Sequence, residues 1–400
     1  MQTPSLPRAA HERRLRHDPK PLPALDAAQE GQVPLNDALI TRLAGAGPGA
    51  SIYLPTHRSG AERRQDHIRL KNLIAEVRRQ APALGTRLDV FQAETERDAF
   101  WAHPRQGLAW FGDEQTSQHV WLPASVPELA MTGAHQHITP LLPLLAGDGP
   151  FHLLELHQHG VRLHAGTKFG MHQITLDGIP TRVEELGHAG DGQRDVEARA
   201  LGATAGTPLW FGGAPELDQK NLALRYFRAI DQVLRATVPV DQMPLILAGV
   251  GWLLPLYREA SRHPRLLAHD CAIDTAAMSV AQVHALAWEA AAPWYARQLS
   301  EAVDQHAAAH GDRRAERLND ILVHASAGRC GSLLVAHDRE RWGTYADGAA
   351  TADQHVARAA GDEDLLNVAA VLAIRTGAAV WAVPAQMIPG GHCASALLRY

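Results

Sequence analysis

The feature that most restricts the fold is the last stretch of the chain, "CASALLRY", Cys393 to Tyr400. It is apolar and Ala-rich, it reads as a strand, and no tail follows it. A strand left at the edge of a sheet presents unpaired N–H and C=O groups. A closing strand is best held between two neighbours, so the pattern predicts a central place in a sheet. The segments before it alternate in type. Helix "RRAERLNDILVHASAG", strand "GSLLVAH", helix "DEDLLNVAAVLAIRTG" and strand "AAVWAVP" precede it, after the long helical run "VAQVHALAWEAAAPWYARQLSEAVDQHAAAH". Alternation of this kind predicts a small α/β/α layer.

The same alternation runs upstream. "LNDALITRLAGAG" from Leu35 has the pattern of a short amphipathic helix. Ser51 to Leu54 reads as a strand that Pro55 ends. Leu70, Leu73, Ile74, Val77 and Ala81 make one apolar stripe on a long helix. "GLAWFGDE" and "SQHVWLP" then predict a hairpin, and "HITPLLPLLAGDGP" a Pro- and Gly-punctuated connector. Further on, "FHLLELHQHGVRLHAG" predicts a second hairpin with its turn at Gln158 to Gly160. Leu176 to about Pro208 is polar and Gly-rich and reads as a mobile loop. "DQKNLALRYFRAIDQVLRA" is a long helix with Ala223, Phe227, Ile230 and Leu234 on one face. "MPLILAGV" has the unbroken apolar run of a strand buried on both sides, and a Gly turn leads from it into the helix "WLLPLYREA".

The fold class expected is therefore α/β, in three α/β domains. The boundaries are 1–34 for an arm expected to be disordered, 35–148 for an N-terminal α/β domain, 149–278 for a middle domain and 279–400 for a small α/β/α domain. A chain of 400 residues exceeds one ordinary core, in line with that division. No stretch reaches the length of an uncharged membrane span; Leu365 to Pro384 comes nearest, is cut by Arg375, and reads as helix, turn and strand. The first residues carry basic groups and prolines without an apolar core, unlike a secretory signal. Cys271, Cys330 and Cys393 are odd in number, widely spaced and without a CxxC, which fits a reducing cytoplasm.

The net charge of −5 is unusual for a free-standing RNA binder, so basic character has to be local. It concentrates between Arg58 and Arg79, where seven Arg or Lys stand against three acids. Arg58, Arg63, Arg64, Arg69 and Lys71 are the candidate phosphate contacts there, against the plainer reading of a solvated helix face.

Taken in order, these pieces resemble the archaeo-eukaryotic class I release factor and Pelota superfamily, and its bacterial branch in particular. The closing "ALLRY" resembles the last strand of that superfamily's third domain, and "GRCGSLLVAHDRERWGTY" and "TGAAVWAVP" sit where its other strands lie. "LALRYFRAID" with "LILAGVGWLLPLYREA" is similar to the long helix, strand and Gly turn of the central, RNase-H-like domain. "SIYLPTHR…RLKNLI" is typical of the bacterial branch. The resemblance implies a cytoplasmic protein that works at the ribosome, on rRNA and at the tRNA site, with no small-molecule cofactor and no membrane partner.

In release factors, a Gly-Gly-Gln loop before the long helix positions the water that hydrolyses peptidyl-tRNA. The matching place here reads "WFGGAPELDQKNLALRYFR": Gly212 and Gly213 fit the two glycines, but Ala214 stands where the glutamine belongs. Gln219 lies six residues beyond Gly213, and "GDGQ" at Gly190 to Gln193 is far upstream. The resemblance thus implies a factor of stalling, rescue or hibernation that does not cut the ester, and no catalytic residue is assigned. Trp210 beside the turn is a candidate base-stacking group, with Tyr226 and Phe227 as poorer ones. Arg225 and Arg228 on the following helix are candidate RNA contacts.

Two other readings stay open. An RNA- or tRNA-directed hydrolase needs several acids clustered around Mg²⁺, and Glu155, Asp231 and Asp241 are the acids the middle domain offers. A stress-linked adaptor would use the C-terminal domain to dock a protein. The HxH pairs His135/His137 and His157/His159 have ligand spacing on a strand, but 23 histidines make such pairs common and no metal is assigned. "GAGPGAS" precedes a strand rather than following one, and "GVGWLL" lacks a third glycine and a Lys-Ser/Thr, so both read as turns.

Overall fold

The computed structural model describes residues 35–57, 61–102, 105–146, 149–157, 160–175, 216–238 and 243–400. They form two compact units, one built from both ends of the chain (residues 1–146 with 298–400) and one from residues 147–297. The expected arm, the loop from Leu176 and the glycine pair lie outside the described residues.

In the first unit, Asn36 caps α1 (Asp37–Gly45) by accepting from the Leu39 amide at 2.9 Å. β1 (Gly49–Pro55) follows, two residues longer at its start than expected and ended by its proline. α2 (Ala61–Gln80) buries Leu70, Leu73, Ile74 and Val77, the stripe read from the sequence. α3 (Gly85–Thr95), β2 (Gly107–Asp113), β3 (Ser117–Leu122), β4 (Leu129–Gly133) and α4 (Leu142–Ala146) complete this stretch. β2 and β3 are the expected hairpin, and the sheet runs β3-β2-β1-β4, antiparallel throughout.

The second unit holds β5 (Phe151–His157), β6 (Gly160–Thr167), β7 (Gly170–Ile174), α5 (Glu216–Thr237), β8 (Leu245–Gly249) and α6 (Leu253–Ala260). Its sheet runs β7-β6-β5-β8. The first three strands are antiparallel, and β8 adds parallel to β5 after α5. Isolated parallel bridges from Leu245 to Leu266 and from Ala248 to Cys271 place a further extended segment beside β8. The unbroken apolar run of β8 follows from both of its faces being covered. One face of this sheet packs Leu154, Leu156, Leu163, Leu245 and Leu247 with Phe227, Ile230 and Tyr257 of α5 and α6. The other packs Phe151, Leu153, Ile246 and Ala248 with Val283, Ala287 and Ala291 of α7 (Val280–Ala308).

α7 begins in the second unit and ends in the first. After it come β9 (Arg314–Ala315), α8 (Leu318–Ser326), β10 (Cys330–Ala336), β11 (Trp342–Thr344), β12 (Asp353–His355), β13 (Glu363–Asp364), α9 (Leu365–Arg375), β14 (Ala379–Val383) and β15 (Ala394–Leu398). The helix expected from Arg313 is shorter than its pattern: Arg314 and Ala315 pair with β15 instead, and α8 starts at Leu318. The terminal strand stands between β10 and β9 in the order β14-β10-β15-β9, central as its composition demanded. It stops at Leu398, and Tyr400 is 81 % exposed. His306 of α7 fixes this sheet from above, with its two ring nitrogens 3.0 and 2.9 Å from the hydroxyls of Ser395 and Ser332.

Every residue of α9 from Leu365 to Ala373 is buried, as its all-round apolar sequence requires. Its one buried amide, Asn367, reaches back to the N-terminal stretch. Its Oδ1 accepts from the amides of Ile138 (2.8 Å) and Thr139 (3.2 Å) and from the Thr139 hydroxyl (3.1 Å), while its Nδ2 donates to the Gln136 carbonyl (3.1 Å). Next to it, the His135 amide donates to Glu363 at 2.8 Å. The His135 ring lies 3.1 Å from Asp347, which pairs with Arg375 at 2.9 Å. Arg375 also donates to the carbonyls of Ala44 and Ala46. A single core then runs from Leu39, Tyr53 and Leu122 to Leu333, Val371 and Ala396. The small three-stranded sheet β12-β11-β13 was not foreseen, because strands of two or three residues leave no period to read.

Candidate nucleic-acid interface

α5 sorts its residues by face. Ala223, Leu224, Tyr226, Phe227, Ile230 and Leu234 are buried, and Arg225 and Arg228 are exposed on the outer side. Phe227 is core as its stripe position implies, and Tyr226 is 3 % exposed, so neither ring offers a face to a base. The two arginines are presented to solvent by a helix whose inner face is locked, an arrangement able to hold guanidinium groups toward phosphates. Trp210, Gly212 and Gly213 lie outside the described residues.

The basic stretch on α2 is less positive in the fold than along the chain. Arg69 meets Asp66 and, at 3.7 Å, Glu128; Lys71 lies 3.8 Å from Glu96; Arg78 lies 2.8 Å from Asp89. Arg63 donates to the Trp101 carbonyl at 3.0 Å. Acids from α3 and its surroundings thus offset charge that the linear count assigns to a free cationic face. Arg58 and the Arg64 side chain lie outside the described residues.

Of the acids weighed for metal-dependent cleavage, the two described ones, Glu155 and Asp231, do not converge. Glu155 shares the β5 face of Phe151 and Leu153, which packs on α7, while Asp231 sits on α5 against the opposite face. Each is already engaged. Glu155 is 2.9 Å from His164 Nε2, 3.6 Å from His157 and 3.7 Å from Arg162. Burial works against its charge, yet hydrogen bonds from His157, His164 and Thr275 hold its carboxyl far below the usual range. Asp231 accepts from Arg235 (2.9 Å), the Ser261 hydroxyl (2.6 Å) and the Arg262 amide (3.0 Å). Asp241 lies outside the described residues.

The histidine pairs also part. His135 points to Glu363 and Asp347, whereas the His137 ring lies edge-on to Tyr53. His159 lies outside the described residues. Among the described residues no group of three His, Cys, Asp or Glu is placed to hold a metal. The "GVG" turn is a packing device. Gly249 has φ +153°, and a Cβ there would fall 2.5 Å from the Leu156 carbonyl, so only glycine lets β8 and β5 close at this point.

Residues 150–329, which hold the second unit's sheet, α5 and its two outer arginines, match the model of bacterial archaeo-eukaryotic release factor family 3. Over that stretch the chain is similar to bacterial archaeo-eukaryotic release factors. Among solved structures, this chain is similar to the archaeal translation termination factor aRF1, at 13 % identity over 92 % of this chain and 99 % of that one, with a TM-score of 0.24. The Pelota protein of Thermoplasma acidophilum matches at 12 % identity over 92 % and 94 %, with a TM-score of 0.26. A ribosome-bound archaeal Pelota, described together with ABCE1, matches at 11 % over 91 % and 94 %, with a TM-score of 0.37. No curated protein matches the chain at a significant level. Among the described residues no helix is long and apolar enough to cross a membrane.

Proposed function

We propose that this release factor-like protein is a cytoplasmic, ribosome-associated translation factor acting in stalling, rescue or hibernation without hydrolysing peptidyl-tRNA. The observation that carries the reading is the family match over residues 150–329, the stretch that contains α5. The absence of hydrolysis rests on Ala214, which stands where a catalytic glutamine would be needed. The mixed sheet β7-β6-β5-β8, with α5 crossing between its antiparallel and parallel parts, supports an RNase-H-like middle domain. Arg225 and Arg228 are the phosphate contacts of that domain, since they are outward cations on a helix anchored from below. Phosphate contacts of this kind weaken as salt rises.

Sucrose-gradient sedimentation of lysate at low salt tests the proposal. The protein is expected in ribosomal fractions, and the double variant Arg225→Glu/Arg228→Glu at the top of the gradient. Wild-type protein found only at the top, in growing and in starved cells alike, overturns the reading. The hydrolase alternative loses support from the separation of Glu155 and Asp231 by the sheet. A nuclease assay with and without EDTA decides it.

A further inference from the structure

Among the described residues of the second unit, one buried imidazole has both ring nitrogens without a hydrogen bond. His152 on β5 is 0 % exposed, and neither of its ring nitrogens has a hydrogen-bond partner among the described residues. Leaving a buried polar atom unpaired costs about 1–3 kcal/mol, so its persistence invites a reason.

Strand register sets its surroundings. His152 is opposite Ala165 on β6, and Ala165 is opposite His172 on β7. The two imidazoles therefore flank a small side chain on one face, the face covered by α5 and α6. On the other side His152 is level with Leu245 of β8, whose amide donates to the Arg265 carbonyl. His263, just after α6 and 8 % exposed, belongs to that same segment. The titratable groups facing His152 are thus His172 from β7 and His263 from the segment after α6, with Tyr226 and Tyr257 in the layer contributed by the helices. Asp231, buried on the inner side of α5, is bonded to the exposed Arg235, to the Ser261 hydroxyl and to the Arg262 amide. Among the described residues no carboxylate stands ready for a cation at His152.

We propose that His152 is an acid trigger: proton uptake there opens the second unit around the start of β5. A protonated imidazole in this place has no acceptor for either N–H among the described residues and is repelled by two further imidazoles, so it is stable only once water reaches it. Burial holds the His152 ring down at about 4, with His263 and His172 adding to the effect, against 6.5 when solvated. The open form therefore binds the proton more tightly. Stability present above 6.5 is lost as pH falls from 6.5 toward 4, and at pH 5 the open population rises by about 30-fold over its value at neutral pH.

Hydrogen–deuterium exchange of the full chain, read by mass spectrometry and corrected for the intrinsic pH effect, tests this. Peptides covering β5, β7 and β8 are expected to exchange about 30-fold faster at pH 5.0 than at pH 7.5. His152→Leu, which places an apolar side chain in an apolar layer, is expected to abolish the difference. Unchanged protection of these peptides in the wild-type chain across that range overturns the proposal without recourse to any variant. An unaltered acid response in a folded His152→Leu chain overturns it equally. The inference stands apart from the ribosomal reading, since it concerns the isolated protein.

Discussion

Asn367 ties residues more than 200 positions apart, and its replacement by leucine of similar size isolates that tie. Asn367→Leu removes four hydrogen bonds and strands the buried amides of Ile138 and Thr139 and the carbonyl of Gln136; the Thr139 hydroxyl can turn elsewhere. Each stranded backbone group costs about 1–3 kcal/mol, against which leucine adds a single side chain's worth of apolar burial, about 1.5–3 kcal/mol. The balance is a loss of about 3–4 kcal/mol. With a urea slope of about 3 kcal/mol per molar for a unit of this size, the midpoint falls by roughly 1 M. Far-UV circular dichroism and tryptophan fluorescence at pH 7.5 follow it together. Both signals are expected to shift by the same amount, because the N-terminal sheet and the C-terminal sheet share one core. A loss below about 1 kcal/mol, or a shift in one signal alone, refutes the argument that this amide joins the two ends of the chain into one cooperative body.

Two further predictions concern the same seam. Burial raises the Asp364 carboxyl to about 6, with Glu340 adding to it and bonds from the Arg341 and Leu366 amides opposing, so the folded state is penalised progressively as pH rises from 3.8 through 6. Asp364→Asn keeps an acceptor for the α9 cap and is expected to be about 1–2 kcal/mol more stable than wild type at pH 7.5, with the gain gone by pH 4; chemical denaturation that shows it weaker at pH 7.5 contradicts this. At His135, burial disfavours the charge, but the Glu363 hydrogen bond and the charges of Glu363 and Asp347 outweigh it and raise the ring above its ordinary value. Its contribution is complete below 6.5 and lost as pH rises through the raised value, so His135→Asn should be most destabilising near pH 6 and least near pH 9. A difference from wild type that stays constant over that range removes the charged pairing from the account.

Much of the local structure was legible because periodicity carries it. The stripe on α2, the inner face of α5, the all-apolar α9 and the unbroken β8 each follow from where water can and cannot reach. What failed to show was short or distant. β9 interrupts a helical pattern since pairing with β15 satisfies two residues that the helix would have left at its frayed end. The candidate cations on α2 looked free because the acids that meet Lys71, Arg78 and Arg69 come from Glu96, Asp89 and Glu128, beyond the helix itself. Arg225 and Arg228 could be placed on the outer face from the sequence, since the residues around them declare the inner one.

By itself the sequence determined the α/β class, the kind of each long element and the central role of its last strand, since helix and strand periods and backbone pairing are local requirements. Tertiary structure alone decided that the two ends share a core, that Glu155 and Asp231 stand on opposite faces, and that the His152 ring finds no hydrogen-bond partner among the described residues. Those facts depend on which surfaces meet across hundreds of residues, and contact between distant side chains leaves no trace in the spacing of either.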